Sequence, residues 1–159
     1  MLCSRRLVLT LCVLALAACG FTPVYAPGGT GSRLQNRIEV QAPDTRDSYL
    51  VVRRIEERLG RADTPGYALA LTVTSDEESL AVNRQGNITR FNLVGQAEYA
   101  LTDLASGQVV TSGKVDNFTG YSATGTTVAT LAASRDAQLR LMVILADQIV
   151  VRLLSADLP

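Results

Sequence analysis

Phe91-Asn92-Leu93-Val94-Gly95-Gln96-Ala97-Glu98-Tyr99-Ala100-Leu101-Thr102 decides the fold. Phe91, Leu93, Gly95, Ala97, Tyr99 and Leu101 recur with period two, and Asn92, Gln96, Glu98 and Thr102 fill the other phase. Successive side chains of a strand point to opposite faces, so this alternation predicts a strand buried on one face only. Upstream, Gln85-Gly86-Asn87 carries hairpin turn chemistry. Before that turn, Tyr67, Leu69, Leu71 and Val73 alternate with Ala68, Ala70, Thr72 and Thr74 in a partner strand. Asp76 to Ser79 interrupt the alternation and Leu80 and Val82 resume it in the opposite phase, which predicts a bulge or bend. Downstream, Asp103 to Gly107 turns the chain, and Gln108 to about Asn117 forms a further strand with Val109, Thr111, Gly113 and Val115 in phase. The three strands make an antiparallel meander. Phe118 to Thr127, rich in Gly, Ser and Thr, reads as a loop.

Two helices and a short strand flank the meander. Ile38-Glu39-Val40 is a strand stopped by Pro43. Asp44, Thr45 and Asp47 are candidate N-caps of a helix through Leu59, closed by Gly60. Its apolar stripe is Leu50 or Val51, Val52, Ile55 and Leu59, and Arg53, Arg54, Glu56, Glu57 and Arg58 form a solvated, internally paired face. The last helix runs from about Leu131, or from a cap at Ser134, to Leu154. Leu131, Leu139, Met142, Leu145, Ala146, Ile149 and Leu153 form its stripe, and Val143, Ile144, Val150 and Val151 widen the arc toward the first helix or an outside partner. The order β-α-β-β-β-α predicts an α/β (α+β) two-layer sandwich. Its four-stranded, mostly antiparallel sheet has a parallel first strand, and both helices pack on one face.

The N-terminus has its own logic. Arg5 and Arg6 precede the apolar run Leu7 to Ala15, and Leu16-Ala17-Ala18-Cys19 follows in the arrangement of a bacterial lipobox. Residues 1–18 are expected to be a cleaved lipoprotein signal peptide, 19–36 a lipidated flexible tether without regular structure, and 37–159 a single domain. Cys19 then carries diacylglycerol and an N-acyl chain, each buried methylene contributing roughly 0.8 kcal/mol to membrane attachment. No other cofactor is expected. Gly20, where Asp is associated with inner-membrane retention, points to the outer membrane, facing the periplasm.

Composition removes several function classes. The chain has 15 Lys plus Arg, 15 Asp plus Glu and no His. Loss of Arg5 and Arg6 leaves the mature chain slightly acidic, which argues against nucleic-acid binding. Cys3 and Cys12 leave with the signal and Cys19 is acylated, so neither a free thiol nor a disulfide remains. Thiol catalysis, a Ser-His-Asp arrangement and ordinary zinc sites are thereby excluded. Asp76-Glu77-Glu78 lacks the alternating ligand spacing of a calcium loop and reads as a solvated bend, although a calcium- or carboxylate-dependent hydrolase would draw on it. The chain is read as not an enzyme.

Cys19-Gly20-Phe21-Thr22-Pro23-Val24-Tyr25, followed by strand, helix, a meander opening on Tyr67-Ala68-Leu69 and a terminal amphipathic helix, resembles the LptE family of lipopolysaccharide-assembly lipoproteins in its alphaproteobacterial form. The resemblance implies a non-enzymatic protein that plugs the lumen of the outer-membrane β-barrel LptD, helps that barrel fold and binds lipopolysaccharide. Phosphates on lipid A call for Arg or Lys presented together. Arg84 and Arg90 flank the first hairpin tip and Lys114, the only Lys, lies on the last strand, so these three are the lipopolysaccharide-binding candidates. Isolated basic residues on strands also serve solubility and edge protection. The rival function is an auxiliary periplasmic lipoprotein of a phospholipid-trafficking ABC transport system.

Overall fold

The computed structural model describes residues 23–158; the signal-peptide segment and Cys19 lie outside the described residues. The chain runs α1 (Thr30–Leu34), β1 (Ile38–Val40), α2 (Arg46–Leu59), β2 (Tyr67–Val82), β3 (Ile88–Asp103), β4 (Val109–Ser122) and α3 (Thr127–Leu154). One sheet has the order β1-β2-β3-β4, with β1 parallel to β2 and the other neighbours antiparallel. The α+β sandwich expected from the sequence is the observed fold, with α2 and α3 packed over the sheet and on each other.

Small residues on β3 set the distance between the layers. Gly95 and Ala97 lie on its buried face, where Leu141 and Leu145 of α3 descend onto the sheet. A Cβ added at Gly95 would stand 2.9 Å from Leu141 Cδ2 and 3.1 Å from Leu145 Cδ1. Leu141, Met142, Leu145, Ala146, Ile149 and Leu153 are fully buried, as are Val51 of α2 and Leu69 and Leu101 of the sheet, or nearly so. The predicted cap of α2 is Thr45: its Oγ1 accepts from Ser48 N–H at 3.1 Å, and Ser48 Oγ accepts from Thr45 N–H at 2.9 Å. Asp47 has a different task. Its carboxylate accepts from Ser75 Oγ of β2 at 2.6 Å and from Gln138 Nε2 of α3, tying three elements at one point.

Several sequence expectations are corrected. The segment expected to be irregular through residue 36 contains α1, because Val24 and Tyr25 pack on Gly31 and Leu34 is drawn into the core. Asp76 to Ser79 stay in the ladder, paired with β3 from Val94 to Phe91, and the expected bulge lies at their far end, where the register shifts between Ser79 and Val82. β4 continues to Ser122 where a loop was expected, since the extended β3 offers a hydrogen-bonding ladder and Tyr121 stacks on Phe91 with centroids 5.2 Å apart. Val109 falls out of phase because the ladder shifts between Leu101 and Thr102; it is exposed, and Val110 packs on the core instead. The last helix starts at Thr127, capped by Thr126 Oγ1 accepting from Ala129 N–H at 3.3 Å. Leu131 and Leu139 are exposed and Leu141 occupies the stripe. The charged face of α2 is only partly solvated. Arg53 pairs with Glu57 within the helix, but Arg54 and Arg58 each reach Asp147 of α3 at 3.0 Å.

Candidate functional site

The far end of the β2–β3 hairpin projects beyond the helix layer. β2 is exposed from Asp76 to Val82, and the turn is closed by Asn83, whose Oδ1 accepts from Gln85 N–H at 3.0 Å and Asn87 N–H at 2.9 Å. Gly86 supplies the left-handed residue, with φ 84°. Leu80, Val82 and Ile88 are exposed there, Leu80 at 61%. Arg84 sits in the turn and Arg90 lies opposite Ala81, both exposed. Neither forms an ion pair among the described residues. The start of α3 stands beside the same end of the sheet: Leu131, half-exposed, lines a shallow cavity with Glu77 and Tyr121, and Val128 is exposed one turn earlier. Apolar side chains and two unpaired cations thus share one end of the molecule, a combination suited to an anionic amphiphile.

Lys114 is elsewhere. It shares the uncovered face of the sheet with Arg90, but Arg90 pairs with Ser122, and Lys114 is eight residues further down β4. The separation is about 26 Å at strand rise. Of the three candidates, Arg84 and Arg90 are brought together and Lys114 is not. Lys114 borders a depression of about 470 Å³ on that face, with Ala70, Thr72, Glu98 and Ser112. The surface around the depression is mostly small and polar, with Val109 exposed beside it and Val94 and Phe118 opposite each other further along.

The acidic run has no site geometry. Strand alternation puts Asp76 and Glu78 on the uncovered face and turns Glu77 toward Tyr121, whose hydroxyl donates to Glu77 Oε2 at 2.7 Å. Burial, then this hydrogen bond, holds the Tyr121 phenol above its usual pKa. Among the described residues no three acidic side chains gather in a metal-holding group. The apolar part of the tip was missed by sequence reasoning, which placed Leu131 in a buried stripe. The available signal was Leu80, Val82 and Ile88, apolar residues crowded around a polar turn.

The solved structures that resemble this chain define its class. A lipoprotein from Caulobacter crescentus is 27% identical, with a TM-score of 0.65 over 80% of this chain and 95% of that one. Rare lipoprotein B from Shewanella oneidensis is 17% identical, TM-score 0.58 over 75% and 92%. A minor lipoprotein from Acinetobacter baumannii is 16% identical, TM-score 0.54 over 77% and 95%. The fold is therefore that of a small bacterial lipoprotein domain. The LptE family model, described as lipopolysaccharide-assembly, matches residues 35–153, and the chain belongs to that family. None of the curated proteins matches the chain. No helix among the described residues is long and apolar enough to cross a membrane.

Proposed function

We propose that acyl chains on Cys19 hold this protein at the periplasmic face of the outer membrane, where it plugs and helps assemble the LptD barrel and presents the β2–β3 tip to lipopolysaccharide. The observation that carries this reading is the polarity of the molecule along α3. Val24 and Tyr25 pack on α1, and Arg33 of α1 donates to the Leu158 carbonyl, just beyond the C-terminus of α3, at 3.1 Å. The hairpin tip lies past the opposite end of this helix of 28 residues. The two ends are about 40 Å apart at helical rise, against a barrel apolar band about 25 Å tall. A body anchored at its base spans such a lumen and brings its tip toward the outer leaflet. Thr72, Gln96 and Glu98 on the uncovered sheet face suit a polar lumen. Leu80, Val82 and Ile88 suit acyl chains, and Arg84 and Arg90 suit phosphates. The role is one of binding and assembly, without a catalytic step or cofactor.

Gentle detergent extraction of the native lipoprotein, followed by mass spectrometry, is expected to recover a large outer-membrane barrel in roughly equal amount. Recovery of an inner-membrane ABC system instead overturns the plug reading. The double variant Arg84→Ala, Arg90→Ala is expected to retain the barrel and lose lipopolysaccharide; unchanged lipopolysaccharide would remove the tip from the binding site.

A further inference from the structure

Among the described residues, β4 has a neighbour on one side only. The bond from Ala123 N–H to the Thr89 carbonyl, with the register, makes the odd-numbered residues of β4 those bonded to β3. Ser112, Lys114, Asp116 and Phe118 therefore turn their N–H and C=O groups outward. This free stretch has a limit at each end. The register shift opposite Leu101 and Thr102 disturbs the ladder at Val110. At the other end the Arg140 guanidinium donates to the Gly120 carbonyl at 3.5 Å. Val110 and Gly120 are equidistant in sequence from Val115, so the open edge is symmetric about Val115.

Its charges have the same symmetry. Lys114 and Asp116 flank Val115, both are exposed, and neither forms an ion pair among the described residues. When two β4 strands pair antiparallel about Val115, Lys114 of each copy faces Asp116 of the other. Below the edge, Ile144 and Val151 of α3 line a groove of about 500 Å³ with Val115 and Arg152, and Val151 is 61% exposed. The second copy's α3 covers this groove in the same arrangement. Charges on an edge strand ordinarily oppose pairing; this pair, two residues apart, selects one register and one partner.

We propose that β4 is a self-complementary edge through which two copies form a two-fold dimer, joined Lys114 to Asp116 across a continuous sheet with the α3 grooves facing each other. The dimer describes the chain free of a barrel, since the function proposed above places a single copy in the lumen, and its failure leaves that function untouched. It is tested on the acylated full chain in detergent by native mass spectrometry over a concentration series. The unsubstituted chain is expected to dimerise. Lys114→Glu and Asp116→Lys should each weaken the dimer roughly tenfold, since each turns two attractive cross-strand pairs repulsive. An equimolar mixture of the two variants, and the doubly swapped chain, should both recover it, because every pair is again opposite in sign. A chain that stays monomeric at tens of micromolar, a dimer indifferent to the single swaps, or single-swap losses that neither combination repairs would overturn the proposal. So would cross-linking of a different polypeptide at this edge.

Discussion

At Gly95 the side chains of α3 press directly on the sheet, and its role is steric. Gly95→Ala forces Leu141 or Leu145 aside in a fully packed layer and is expected to lower stability by about 1–3 kcal/mol. Urea unfolding checks this through a lower midpoint at unchanged slope. Tyr121 makes a pH prediction. Its folded-state pKa is raised, so the neutral phenol is the form the fold favours. The associated stability is fully present below the ordinary phenol range near 10 and is lost as pH rises through the raised value. Ultraviolet titration should show a phenol ionising late, and Tyr121→Phe should abolish that phase while flattening the alkaline fall in stability. The period-two pattern exposed the buried phase of Gly95, but not the identity of Leu141 as its neighbour. Leu139 and Leu141 both fit a broad apolar arc, and only the seat on Gly95 distinguishes them.

Among the elements, α2 was the most legible, because its start and stop are local chemistry. The reciprocal Thr45–Ser48 bonds and Gly60, with φ 78°, need no distant partner. Thr45→Ala is expected to cost about 1 kcal/mol, read as a lower urea midpoint with helix content retained below the transition. The ends of β4 and α3 were misjudged for the opposite reason. Gly120 and the Gly-, Ser- and Thr-rich run that follows it masked the strand-favouring Phe118, Thr119 and Tyr121, and the ladder to Arg90–Val94 carries the strand through to Ser122. The first turn of α3 exposes Val128 and Leu131 because it starts beside the end of the sheet rather than over its centre.

At the scale of the whole molecule, one core joins residues from α1 to α3 and every strand. That continuity predicts a fold that needs no lipid on Cys19. Cys19→Ala is expected to move the protein from the membrane to the soluble fraction, where it should unfold in a single transition, with fluorescence and circular dichroism coinciding. Normal membrane fractionation of the variant would refute the anchor, and separated transitions would refute the single core. The molecule is also polar end to end, with Val24, Tyr25 and α1 at one end of α3 and the apolar, basic hairpin tip beyond the other.

The sequence by itself determined the sheet, the parallel first strand and both main helices, because periodicity, caps and turns are properties of neighbours along the chain. It also marked Arg84, Arg90 and Lys114 as the cations worth locating. The turn chemistry already put Arg84 and Arg90 at one tip; only the tertiary structure decided that Lys114 stands about 26 Å from Arg90, and that Arg54 and Arg58 hold Asp147 across two helices. The same holds for α1, which forms where five residues could not hold a helix alone, because Leu34 is buried. Each of these depends on contacts between residues far apart in sequence, which local patterns do not encode.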